Sequence, residues 1–131
     1  MNIIFGDAVQ LIPDRYTVLE LDSVRFMPAD QVLPVWCVIE NIPMEELARV
    51  DNNVKMHQDL IQQYRERNWH FCSQATSALM GQWGGELDTF YMHLMDRVAG
   101  FQLAPPPDSW DGTLTKFSEV PNSLAQSGAE A

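Results

Sequence analysis

Basic residues are scarce in this chain. Eight Lys and Arg stand against 18 Asp and Glu, a formal net charge of −10 over 131 residues. The acids run the whole length, eight in residues 1–50, six in 51–100 and four beyond. A field of that sign repels phosphate backbones and anionic lipid, so the expected partner is a protein, or a second copy of the chain, and not nucleic acid or a membrane. Cysteine is scarce too. Cys37 and Cys72 lie in apolar contexts with no secretory apolar segment ahead of them, and they read as small buried hydrophobes in a reducing compartment. The longest apolar run, Val35 to Ile39, is far short of a membrane span. The expected location is cytoplasmic, or the virion if this is a phage protein.

Catalytic and metal-binding patterns are missing as well. His57, His70 and His93 have no ligand spacing, and neither His-Glu-x-x-His nor Cys-x-x-Cys occurs. His57 falls on the apolar stripe of a predicted helix, where a satisfied imidazole is commoner than a ligand. Glu20 and Asp22, two apart on a predicted strand, are expected on one face; without a third ligand they read as a solvated face or a turn-fixing Asp. Gly81-Gln82-Trp83-Gly84-Gly85 follows a helix, not a strand, and has no lysine, so it reads as a helix-ending turn and not as a phosphate loop. A Cys72/His nucleophile pair needs an electropositive setting that this acidic chain does not advertise. No catalytic residue, cofactor or metal site is assigned, and the chain is expected not to be an enzyme.

What is present is enough apolar content to fold: 46% hydrophobic and 20% charged residues, a globular balance. Ile3-Ile4-Phe5 followed by Ala8 to Ile12 suits a short strand, a turn and a short helix. Tyr16 to Phe26 and Val32 to Glu40 are rich in β-branched and aromatic residues around Met27-Pro28-Ala29-Asp30, which predicts an antiparallel hairpin. Asn41 is placed to cap a helix with Pro43, Glu45 and Glu46 in its first turn. Its inward stripe is Leu47, Val50, Val54, His57, Ile61 and Tyr64. Asn68 ends it, and Trp69, Cys72, Thr76, Leu79 and Trp83 mark a second, with Ala75 and Ala78 allowing close approach and Gly84-Gly85 terminating it. Leu87, Phe90, Leu94, Val98 and Phe101 mark a third. Pro105-Pro106-Pro107 is necessarily extended, Asp108 to Gly112 is a turn carrying Trp110, and Thr113 to Phe117 suits a short strand.

These residues resemble a known pattern. Glu20-Leu21-Asp22-Ser23-Val24, then Pro34-Val35-Trp36 and Glu40, are similar to the last β-hairpin of bacterial class III adenylate/guanylate cyclase domains. Tyr64-Arg65 with Trp69, then Tyr91 with Arg97, then Pro105 to Pro107 with Trp110-Asp111-Gly112, resemble in order the tetratricopeptide-like helical tail of such cyclases. The likeness spans about residues 3–117. It implies the non-catalytic end of such a protein: the family's metal-binding aspartates, purine-selecting residues and transition-state Asn and Arg lie upstream of the matched part, and none is carried over. Met27-Pro28-Ala29-Asp30 also replaces the family's basic Lys-Gly turn.

The expected fold is α+β, with a small antiparallel β-hairpin or three-stranded sheet packed on a three-helix, tetratricopeptide-like bundle and closed by an extended Pro/Trp strap. One domain spans 1–117, β-rich over 1–40, helical over 41–101 and a strap over 102–117, with a polar tail at 118–131. The candidate partner contacts are Trp83, Trp110 and Phe117, aromatic residues beside turns or in the strap. The leading function is a non-enzymatic interaction or structural module; a regulator or dimerisation partner of a nucleotide cyclase and a phage structural or assembly protein are the alternatives. Because one such helical unit rarely stands alone, an oligomer or complex is expected.

Overall fold

The computed structural model describes residues 2–121 and 126–127. The fold is α+β. The chain forms two compact units, Met1–Glu40 with Gly112–Ala131, and Asn41–Asp111, where a single domain was expected.

The first unit is a mixed sheet larger than the expected antiparallel hairpin or three-stranded sheet. Its strands are β1 (Asn2–Phe5), β2 (Thr17–Met27), β3 (Gln31–Ile39), β4 (Thr113–Phe117) and the two-residue β5 (Gln126–Ser127), in the order β4-β2-β3-β1-β5. β2 and β3 are the predicted antiparallel hairpin, turned by Pro28, Ala29 and Asp30, with Asp30 at φ 58°. Cys37 lies opposite Leu19 on one side and Ile3 on the other, and all three are buried, so a row of apolar side chains crosses three strands. On the opposite face Ile4, Ala8 and Val38 form a cluster with Val9, Ile12, Tyr16 and Val18. The 3₁₀ helix Gly6–Leu11 supplies Ala8 and Val9 to it, which is why the opening stretch is apolar on both sides of its turn. β4 belongs to this sheet, paired parallel to β2 with Ser23 opposite Thr113 and Met27 opposite Phe117. The expected polar tail 118–131 falls outside the described residues, apart from 118–121 and β5.

The expected common face for Glu20 and Asp22 is overturned by a bulge. Glu20 lies opposite Trp36 but Asp22 lies opposite Val35, so Leu21 is the extra residue. Neighbouring residues of β3 point to opposite faces, and the two carboxylates therefore diverge.

The second unit holds the helices. A 3₁₀ helix, Met44–Arg49, precedes α1 (Val50–Arg65), α2 (Trp69–Leu79), a 3₁₀ turn at Trp83–Gly85 and α3 (Asp88–Leu103). Asn41 is not the cap: Pro43 occupies that position with ψ 140°, no side chain caps the turn, and the α-helix begins only at Val50. The tighter 3₁₀ pitch turns Leu47 outward, 58% exposed, and takes Glu46 inward. Asn68 does more than stop α1; its Oδ1 accepts the amide of Phe71 at 3.3 Å and so caps α2. α2 ends at Leu79, before Gly84 and Gly85, and Ala78 is exposed while Ala75 is buried. The core of this unit is Leu60, Ile61, Tyr64, Cys72, Ala75, Leu79, Trp83, Leu87, Tyr91, Leu94 and Val98. Among the described residues no helix is long and apolar enough to cross a membrane.

Candidate functional site

The polar groups of the helical unit converge on the turn between α2 and α3. Trp83, Gly84 and Gly85 all have positive φ, at 58°, 62° and 80°. Successive backbone amides in a turn can make an anion-binding concavity. The anion is already there: Glu46 Oε1 accepts the amide of Trp83 at 2.7 Å and Oε2 that of Gly84 at 3.2 Å. The turn that lacked a phosphate-loop lysine thus binds a carboxylate of its own chain. Asp88 Oδ1 accepts the amide of Gly81 at 2.8 Å, and Gln82 Oε1 accepts from Asn53 Nδ2 at 2.9 Å and from Arg49.

Trp83 was a candidate surface contact, and here the structure corrects the expectation. Its side chain is 0% exposed and its indole N–H donates to Tyr91 Oη at 3.0 Å. That oxygen shares a second hydrogen bond, of 2.9 Å, with Nδ1 of the fully buried His57. Glu46, Trp83, Tyr91 and His57 form a continuous buried chain joining the 3₁₀ helix Met44–Arg49, the turn, α3 and α1. A glycine-flanked tryptophan looks like a surface residue; the residue that pins it inward is 37 positions upstream. Tyr91, which the stripe of α3 passed over, is the hub of the chain, and its place one turn after the buried Leu87 was the available signal.

A second cluster lies at the other end of the helices. Tyr64, Trp69, Phe101 and Trp110 meet with ring centroids 5.2–6.4 Å apart. Arg67, in the left-handed region at φ 66°, donates to the carbonyls of Pro106 (3.2 Å), Pro107 (2.7 Å) and Trp110 (3.0 Å) and lies over the Trp110 ring. Arg97 donates to Tyr64 Oη at 3.2 Å. Trp110, the second candidate contact, is half-buried in this cluster.

No protein-family model, no curated protein and no solved structure matches this chain.

The remaining chemistry is quiet. Burial pushes the Cys72 thiol up to about 11, against a weaker lowering by its backbone hydrogen bond, so at neutral pH it is a protonated thiol and a poor nucleophile. Cys37 is likewise buried and not disulfide-bonded. Among the described residues no three His, Cys, Asp or Glu side chains are grouped to hold a metal ion.

The surface is more informative. Phe117, the third candidate contact, is 83% exposed at the end of β4, and among the described residues β4 has β2 as its one neighbour in the sheet. Met44 is also 83% exposed and lies three residues before Leu47. Side chains at that spacing eclipse on a 3₁₀ helix, so the two form one outward apolar feature. Glu45 and Asp51 flank it.

Proposed function

We propose that the chain is a non-enzymatic interaction module, serving as a structural or regulatory part of a larger assembly. The observation that carries this reading is the Met44–Leu47 pair. Its backbone is fixed from the inside, because Glu46 between the two is tied to the Trp83–Gly84 turn. A pre-ordered apolar projection loses little conformational entropy on binding, which is how a small contact becomes an anchor. The acidic flank selects a partner surface that is apolar at its centre and basic at its rim.

In this reading the helical unit acts as a tetratricopeptide-like repeat whose end is locked by residues 102–111, the part of the expected 102–117 strap within this unit, while Thr113–Phe117 belongs to the sheet as β4. The Arg67 hydrogen bonds to Pro106, Pro107 and Trp110 support the strap. A second reading, a regulator or dimerisation partner of a nucleotide cyclase, draws on the convergence of residues that the cyclase-tail resemblance takes from separate motifs. Tyr64, Trp69 and Trp110 pack together and Arg97 bonds to Tyr64.

The test is affinity capture with the tagged chain, identification of what is retained, and titration of that partner against the Met44→Ser/Leu47→Ser variant. Binding weakened about tenfold or more by the two changes, with melting temperature unchanged, is the expected result. Equal binding by both forms, or no partner captured, overturns the reading. Mixing with a cyclase and measuring cyclic-nucleotide output separates the second reading from the first.

A further inference from the structure

The chain carries seven methionines and two cysteines, and few of these side chains stand open to solvent. Cys37 and Cys72 are buried, and desolvation keeps the Cys72 thiol protonated, so the group that usually meets an oxidant first is out of reach. Among the described methionines Met27, Met56, Met80 and Met95 are half-buried. Met44 is 83% exposed and Met92 56%. A thioether has no proton to lose, so access governs how readily it is oxidised.

The two exposed sites differ in what an added oxygen would change. Met92 has no apolar neighbour in solvent close by on α3: the other exposed large apolar residue of that helix, Leu103, lies about 16 Å further along the axis. Met44 is half of the outward pair with Leu47. The 3₁₀ helix beneath it is held by Glu46 N donating to Pro43 O at 2.9 Å and by the Glu46 carboxylate on the Trp83–Gly84 turn. The Met44 side chain is not part of the described core. An oxygen placed on it therefore alters the docking feature and leaves the fold alone. A sulfoxide is a polar acceptor, and burying it against an apolar surface without a donor is penalised.

We propose that Met44 is a reversible oxidation site that switches the Met44–Leu47 contact off. The oxidant is hydrogen peroxide. The thioether sulfur gives an electron pair to one peroxide oxygen, the O–O bond breaks, and the remainder leaves as water. Methionine sulfoxide reductases, one for each sulfur epimer, reverse the change with a dithiol that becomes a disulfide while the oxygen leaves as water. The outward position of the side chain leaves it open to them. This deepens the interaction-module reading and rests on it, since it supplies the regulation of the same contact.

The experiment uses the full chain carrying M92L, which leaves Met44 as the one exposed methionine among the described residues, beside M44L/M92L. Both are treated with graded hydrogen peroxide, mapped by peptide mass spectrometry and run on a phenyl matrix in falling salt, each compared with itself before treatment. Met44 is expected to gain oxygen ahead of Met27, Met56, Met80 and Met95. Retention of M92L is expected to fall and that of M44L/M92L to hold, and the reductases with dithiothreitol restore the first. Circular dichroism and melting are expected to stay unchanged. A partner retained by affinity capture is expected to bind oxidised M92L roughly tenfold more weakly than the reduced form. Oxidation of Met44 no faster than that of the half-buried methionines overturns the proposal. So does an equal loss of retention in both variants, or a partner that holds the oxidised form equally well. Prompt oxidation of Met44 with a fall in retention, in a chain that captures no partner, overturns the interaction-module reading and with it the switch, while leaving Met44 as the oxidation site.

Discussion

Replacing Glu46 by alanine is the most demanding test of how the helical unit is held together. The carboxylate is 6% exposed and each oxygen accepts a different backbone amide, Trp83 N at 2.7 Å and Gly84 N at 3.2 Å. A hydrogen bond to a charged group contributes about 1.5–3 kcal/mol, and an amide left buried without an acceptor costs about 1–3 kcal/mol. Trp83 N is buried, so its loss counts nearly in full; Gly84 N is half-buried and water recovers part of its share. A destabilisation of about 3 kcal/mol is the expected sum. Glu46→Gln keeps one acceptor but turns an amide NH2 toward the other N–H, so about 2 kcal/mol is expected, with Ala the worse of the two. The assay is urea unfolding followed by tryptophan fluorescence and far-ultraviolet circular dichroism, with midpoints compared at a common m-value. Trp69, Trp83 and Trp110 all belong to the helical unit, so fluorescence weights the unit under test. A loss below about 0.5 kcal/mol for Glu46→Ala, the level of an ordinary surface substitution, would refute the claim that this carboxylate pins the turn.

Three further outcomes follow from the same geometry. Tyr91→Phe removes the one oxygen serving both Trp83 Nε1 and His57 Nδ1, and calorimetry is expected to show about 2–4 kcal/mol of lost stability; a loss under about 1 kcal/mol would mean the pair is not jointly satisfied there. Arg67→Ala strips donors from three carbonyls, so hydrogen exchange is expected to rise over the amides of residues 108–110 with α1 and α2 still protected; unchanged exchange there would count against the lock. The native Cys72 thiol is expected to resist a thiol reagent at pH 8 until denaturant is added. Its folded value of about 11 lies above the ordinary 9.0, so its contribution is full below about pH 9, where both states hold the proton, and is lost as pH rises toward 11. Alkaline melts of the wild type and Cys72→Ala that fall in parallel across that window would show the thiol is not responsible.

The parts of this fold that were legible in the sequence are those that local chemistry determines. The β2–β3 hairpin is written in β-branched density on either side of a Pro/Asp turn, and α3 in the spacing from Leu87 to Phe101. The misreadings share a different cause: each depends on a partner distant along the chain. The bulge at Leu21 is a mismatch between two strands and leaves no mark in one of them. Asn41 looks like a cap until Glu46 is required at the α2–α3 turn, which the 3₁₀ pitch of Met44–Arg49 delivers. Trp83 looks exposed because it precedes two glycines, yet those glycines are what let its backbone turn the side chain inward. Of the three candidate residues, the exposure of Phe117 was readable because an aromatic at a strand end has nothing local to cover it, and the half-burial of Trp110 was not, because its turn was evident and its aromatic neighbours were distant.

The parallel pairing of β4 with β2 has a consequence for how the molecule is made. The sheet begins at β1 and is interrupted at Glu40, and its edge is completed only after Asn41–Asp111 has passed. During synthesis the helical unit therefore leaves the ribosome as a continuous piece, able to assemble through contacts between neighbouring helices. The sheet, holding strands made both before and after that unit, waits with one side of β2 unfilled. Contacts of such wide sequence separation form slowly, and an unpaired strand is a hazard while it waits. Moving the start of the chain to residue 112 by circular permutation would let β4 emerge ahead of β2, and would turn a discontinuous sheet into one that is translated whole.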